Sequence, residues 1–144
     1  MRIRHLCRKI STMQNSNFRS QNDKEDFKIQ FNKRLVVFSL DIIKFCSLVR
    51  QNANLKALAD QLIRSGTSIG ANIIEAKACG SKKEYIRFFE IALRSANETR
   101  YWLILLREAD SRYQQTASIL IEEANQLCKI ITSAVLTMKG KTKI

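Results

Sequence analysis

The stretch "RSGTSIGANIIEAKACGSKKEYIRFFEIA", Arg64 to Ala92, decides how this chain folds. Ile69 and Ile73 stand four apart, as on one face of a helix, with Leu55, Leu58 and Leu62 before them and Ala76 after. Gly66 falls on the same stripe, and Ser65, Ser68, Gly70 and Asn72 are scattered beside it where a plain core would carry leucine. At 100° per residue, Arg64, Ser68, Asn72 and Glu75 span about 80° of that helix and make a polar seam. Gly80 is placed to end the helix as a C-terminal glycine. Ser81 and Glu84 then form a Ser-x-x-Glu capping box, in which the serine accepts from the Glu84 amide and the glutamate reaches back to the Ser81 amide.

The pattern continues outward in both directions. The helix opened by Ser81 runs to about Ala109, with Tyr85, Phe88, Ala92, Ser95, Thr99, Trp102 and Leu106 on one face. Its own seam is Glu84, Arg87, Arg94, Ser95 and Glu98. Antiparallel neighbours with such seams can pair arginine to glutamate across the contact. Arg64, Ser68, Asn72, Glu75, Ser81, Glu84, Ser95 and Glu98 are therefore expected to form a structural network that fixes helix register. Gly66, Gly70 and Ala71 would let another backbone come close.

Before this stretch, a first helix is expected from Asp23–Asp26, where acidic residues suit a helix N-terminus. Phe31, Leu35, Phe38, Ile42, Phe45 and Val49 form its core stripe; Val36, Leu40 and Ile43 form a second stripe, more than a bundle core requires. Asn54 is the expected cap of the second helix, over 55–79. After "DSRY" a fourth helix is expected over 113–138, with Ile119, Leu120, Leu127, Ile130, Ala134 and Met138 as its stripe and Gly140 ending it. The chain thus reads as a basic, disordered arm over 1–22, a bundle domain over 23–139 and a frayed tail over 140–144. The fold class is all-α, an antiparallel up-down-up-down four-helix bundle.

Composition agrees and excludes several chemistries. The 144 residues include no proline and only 4 glycines, which suits helices. Cys7, Cys46, Cys79 and Cys128 form no C-x-x-C, so reduced thiols in a cytoplasmic protein are expected. No apolar run is long enough for a membrane span, and "MRIRHLCRKISTM" lacks the apolar stretch of a signal peptide. Met13 offers an alternative start that would remove Arg2, Arg4, Arg8 and Lys9. The only histidine, His5, lies in the arm, so di-iron Glu-x-x-His pairs, c-type haem attachment and histidine acid–base catalysis have no residues to use. There is no glycine-rich phosphate loop. Glu75, Glu84, Glu90 and Glu98, interleaved with arginines, read as salt-bridging groups rather than metal ligands. We expect no enzyme activity, no catalytic residue, no metal and no cofactor.

The net charge of +12 is the remaining signal. It divides equally between residues 1–34 and 35–144. Lys82, Lys83, Arg87, Arg94, Arg100 and Arg107 are the candidate nucleic-acid contacts, since such cations release counterions from a phosphate backbone. Lys83, Arg87 and Arg94 lie on one side of their helix, and Arg100 and Arg107 on nearly the opposite side. The aromatics among them, Tyr85, Phe88, Phe89, Tyr101 and Trp102, read as core or interface before base-stacking platforms.

Gln61 to Ala76, followed by Gly80 to Leu103, resembles the 23S rRNA-intervening-sequence proteins, a bacterial "four helix bundle protein" family. Gln61, Arg64, Ser68, Ile69, Asn72, Ile73 and Glu75 match the first half of its pattern. Ser81, Glu84, Tyr85, Phe88, Ser95 and Glu98 match the second. Ala76 departs, standing where the family usually has glycine. The resemblance implies a left-handed bundle that assembles as a ring-like homopentamer. Some relatives are reading frames inside ribosomal RNA genes. Others are accessory proteins of diversity-generating retroelements, which work with a reverse transcriptase and bind nucleic acid. The resemblance thus implies a non-enzymatic protein that binds RNA or DNA with little sequence specificity. The alternative is a structural adaptor for a protein partner such as a reverse transcriptase. A third reading, an enzyme using Arg64, Asn72 and Glu75, has no catalytic residue of the family to support it.

Overall fold

A computed structural model of the chain describes residues 21–141. The arm over 1–20, with His5, Cys7 and Met13, and the tail over 142–144 lie outside the described residues. Among the described residues are four α-helices, α1 (Gln21–Val49), α2 (Lys56–Ala76), α3 (Lys82–Ala109) and α4 (Gln114–Met138), and no strand. Gln21 and Asn22, read above as part of the arm, are the first two residues of α1. Contacts divide the chain at Phe31. On the N-terminal side, Phe27 and Phe31 stack with ring centres 6.3 Å apart. The compact unit from Asn32 onward holds the rest.

Within that unit the expected α1 stripe and most of the α2 stripe are the core, but the buried line of α4 is turned by one residue from the expected one. Ile131 and Val135 are buried, Ile130, Ala134 and Met138 only partly so, and Ile119 is exposed by 56%, while on α3 Leu103 is buried and Trp102 only partly. Leu35, Phe38, Ile42, Phe45 and Val49 of α1 are buried, as are Leu62, Ile69, Ile73 and Ala76 of α2. Ala92, Leu103 and Leu106 of α3 and Leu120, Leu127, Ile131 and Val135 of α4 close it. Each pair of neighbours runs antiparallel. Ile42 meets Gly66 and Leu35 meets Gly70 between α1 and α2. Ser65 meets Thr99 and Ser68 meets Ser95 between α2 and α3. Glu90 pairs with Lys139 between α3 and α4. Phe45 sets its ring edge-on to Tyr113, 5.8 Å away, while Arg34 reaches Glu123 and ties α1 to α4.

The helix ends follow local chemistry, with two departures from expectation. The cap before α2 is Asn52 rather than Asn54. Asn52 has extended backbone, and its side chain accepts from the Asn54 amide at 3.1 Å, opening a 3-10 turn over Ala53–Leu55. Asn54 is the donor inside that turn. Gly80 is not a left-handed cap either, because Gly140 is the only glycine with positive φ among the described residues. α2 ends instead at Ala76 by tightening: the amides of Lys77, Ala78 and Cys79 each bond the carbonyl three residues back. Gly140 does end α4, at φ 67°. Its amide bonds Thr137 O and the Lys141 amide bonds Leu136 O, the two bonds of a Schellman motif.

Ser81 caps α3 as its spacing predicts. Its backbone is extended and its hydroxyl accepts from the Glu84 amide at 3.2 Å. The return bond from the Glu84 carboxylate is not formed. Ser81→Ala should therefore cost about 0.5–2 kcal/mol, the value of one lost cap, read as a lower urea midpoint with unchanged slope. An unmoved midpoint would mean the cap contributes nothing to the start of α3. No helix among the described residues is long and apolar enough to cross a membrane.

Candidate nucleic-acid interface

The polar seam is real, but it is built from hydroxyls. Thr99 is fully buried, and its hydroxyl lies 2.7 Å from Ser95 O and 3.0 Å from the buried Ser65 hydroxyl. One turn along, Ser95 Oγ donates to Ser68 Oγ at 3.2 Å, and Asn72 Nδ2 donates to Ser68 O and Oγ at 2.7 and 3.0 Å. These short side chains satisfy one another, so α2 and α3 approach closely without orphaning a polar atom. Three members of the expected network therefore meet, Ser68, Asn72 and Ser95, joined by Ser65 and Thr99.

The charged members do not pair across the contact. Arg64, Glu75, Glu84 and Glu98 are exposed. Glu98 accepts from the Trp102 indole of its own helix at 3.1 Å. The reason is size: serine and threonine let the backbones close in, and the longer arginine and glutamate chains are turned out to water, where a pair gains little. The well-buried ion pair is elsewhere. Arg34, 7% exposed in its side chain, makes a two-pronged contact to Glu123, 14% exposed, at 2.5 and 3.0 Å.

The six candidate cations of α3 separate into different environments. Lys82, Lys83, Arg87 and Arg94 are exposed and pair with no carboxylate among the described residues. Arg107 is held by the adjacent Glu108 at 2.8 Å. Arg100 is partly buried against α4. By helical geometry Lys82 shares the line of Arg100 and Arg107, about 120° from that of Lys83, Arg87 and Arg94. The charges therefore form two stripes on α3. Lys129 of α4 lines the same groove as Arg100, which spacing within one helix could not reveal.

α1 also carries apolar surface. Val36, Val37, Leu40, Ile43 and Leu48 of α1 are exposed, Leu48 by 55%. The second α1 stripe expected from the sequence is thus outside the core of the single chain. Cys46, Cys79 and Cys128 are free thiols. Burial pushes Cys46 up to about 11, so that thiol stays protonated at neutral pH. Burial also raises Cys128, with Arg100 drawing it partly back.

Comparison with known proteins agrees with the geometry. The family model described as 23S rRNA-intervening sequence protein matches residues 28–133. No curated protein matches the chain. Among solved structures, a crystal structure from Bacteroides thetaiotaomicron of a protein of unknown function from the S23 ribosomal protein family is similar. It is 30% identical, with a TM-score of 0.68, over 72% of this chain and 96% of that one. With the model covering most of the chain and the fold matching at that identity, the chain belongs to the 23S rRNA-intervening sequence protein family.

Proposed function

We propose that the chain is a non-enzymatic, cytoplasmic bundle protein that self-associates and binds RNA or DNA with little sequence specificity. The observation that carries this reading is the contrast among its cations. Arg34, Arg50, Arg107 and Arg112 each sit on a carboxylate, whereas Lys82, Lys83, Arg87 and Arg94 are exposed on α3 without one among the described residues. Cations held in water without partners suit a phosphate backbone, which is read by charge and not by base. The exposed α1 stripe supports self-association, because an apolar row of this length on a helix face is a contact surface. A ring-like homopentamer, as the family resemblance implies, would repeat the α3 cations around the assembly.

The test is binding of a labelled RNA and a matching DNA across a salt series, with the assembly's mass measured in the same buffer. A linear fall of log affinity with log salt is expected, with a slope near −0.7 per phosphate for single strands, roughly. Absence of binding at low salt would reject the reading. A second reading, an adaptor for a protein partner such as a reverse transcriptase, is favoured by Tyr101 and Ile104, exposed by 54% and 37% beside the α3 cations. Association with a protein that is insensitive to salt would support it.

A further inference from the structure

Where α3 lies against α4, an open groove of about 500 Å³ runs between them, within the size range of small-molecule sites. Its polar lining is Asn97 and Arg100 from α3 and Lys129, Thr132 and Ser133 from α4, with no carboxylate among the lining residues. Leu93 and Leu136 flank it. Arg100 is the unusual member. An Nη donates to Asn97 Oδ1 at 3.3 Å and the side chain also bonds the Cys128 thiol, but its Nε is buried with no acceptor among the described residues. The other partly buried arginines have a carboxylate: Arg34 has Glu123, and Arg107 has Glu108. A half-desolvated guanidinium without an anion is costly, and no carboxylate lines the groove to offset it. An entering anion would relieve that cost.

We infer that this groove is a phosphate-binding site, with Arg100 and Lys129 holding the phosphate charge. Asn97, Thr132 and Ser133 offer neutral donors to the remaining oxygens. Leu93 and Leu136 offer apolar surface to whatever the phosphate carries, which suits a nucleoside. A guanidinium fork with an ammonium beside it and hydroxyls around it is the donor set that phosphate oxygens demand. The inference deepens the nucleic-acid reading where the phosphate belongs to a strand. The groove itself does not depend on that reading.

Cys128 lines the groove and serves as the reporter. The full chain is treated with iodoacetamide at constant ionic strength, and alkylation of each cysteine is followed by mass spectrometry. The probes are inorganic phosphate, a nucleoside monophosphate and a short single-stranded oligonucleotide. Alkylation of Cys128 is expected to slow several-fold with a phosphate-bearing probe, while Cys79, in the α2–α3 connection, reacts at an unchanged rate. Arg100→Gln with Lys129→Gln should abolish the protection. Lys129→Gln alone, at an exposed position, should weaken it and serves if the double variant fails to fold.

Protection by the oligonucleotide alone identifies a strand phosphate, and the double variant should then flatten the salt slope by about 0.7, the share of one phosphate. Protection by the small probes alone identifies a free phosphate compound. Either result supports the groove. No protection by any probe, or equal protection in the variant, overturns it. A chain that binds no strand yet shields Cys128 with phosphate would reject the proposed function and keep the site. A chain that binds strands with Cys128 unshielded would reject the site and keep the function.

Discussion

Arg34→Ala is expected to destabilise the fold by about 3 kcal/mol, because it takes the two-pronged partner from the largely buried Glu123 carboxylate. The geometry makes the effect large. Arg34 Nε lies 2.5 Å from Oε1 and Nη2 3.0 Å from Oε2, with side-chain exposures of 7% and 14%. An exposed pair such as Arg50–Asp60, at 43% and 48%, is expected to contribute under about 1 kcal/mol. Urea denaturation of the two alanine variants would separate these cases by their midpoints. Replacing Arg34 with Met and Glu123 with Leu together should be far milder than either single change, and could stabilise, since a well-packed apolar pair avoids the desolvation cost. The pair would then be a device that chooses where α1 lies on α4, at no net gain in stability. Because α1 carries the exposed apolar stripe, Arg34→Ala should also lower the mass of any assembly before the chain unfolds. Equal, small effects at Arg34 and Arg50 would show that water reaches both pairs.

What was legible in the sequence was what a single helix decides by itself. The stripe Leu35, Phe38, Ile42, Phe45 and Val49 reads directly from spacing, and it is buried. Ser81 and Gly140 read from local backbone chemistry: Ser81 opens α3 with half of its expected capping box, and Gly140 ends α4 as expected. Asn52 was missed in favour of Asn54 because both suit a cap, and the choice depends on where the 3-10 turn begins. Gly80 misled because a glycine after a helix usually turns left-handed, and here the last turn tightens and uses no such residue.

The ion pair had a signal that went unread. Arg34 precedes the buried Phe38 by four residues, and Glu123 precedes the buried Leu127 by four, so each charge stands on a core-facing line. Spacing tells which face a residue takes. It does not tell which residue of a helix 89 positions away stands opposite. The same limit hid the groove, whose cations come one from each of two helices. The charged half of the polar seam failed for a related reason: Ser65 and Thr99 draw α2 and α3 too close for arginine and glutamate to fit between them.

Closeness of approach also answers why the opening stretch carries glycine where leucine would be expected, and it gives the second large effect. A β-carbon built on Gly66 would fall 2.9 Å from Ile42 Cγ2 and 3.1 Å from Cγ1. Ile42 is fully buried and branched at its β-carbon, so it has no free rotamer in which to retreat. Gly66→Val adds two methyl groups beyond that first clash and should cost about 3 kcal/mol, with the gain in helix propensity offsetting only a fraction. Gly70, one turn further, is the control. There an added β-carbon meets Leu35 Cβ at 3.4 Å and Ser39 Oγ at 3.7 Å, which is room enough for a methyl. Gly70→Ala should therefore stabilise the helix by about 0.5–1 kcal/mol, the ordinary gain from removing a helical glycine. Opposite signs at the two glycines, measured by the same urea midpoints, would place the closest approach of α1 and α2 at Gly66. If both substitutions stabilise, the two helices stand further apart than a glycine contact requires, and the small residues of this stretch serve the α2–α3 seam alone.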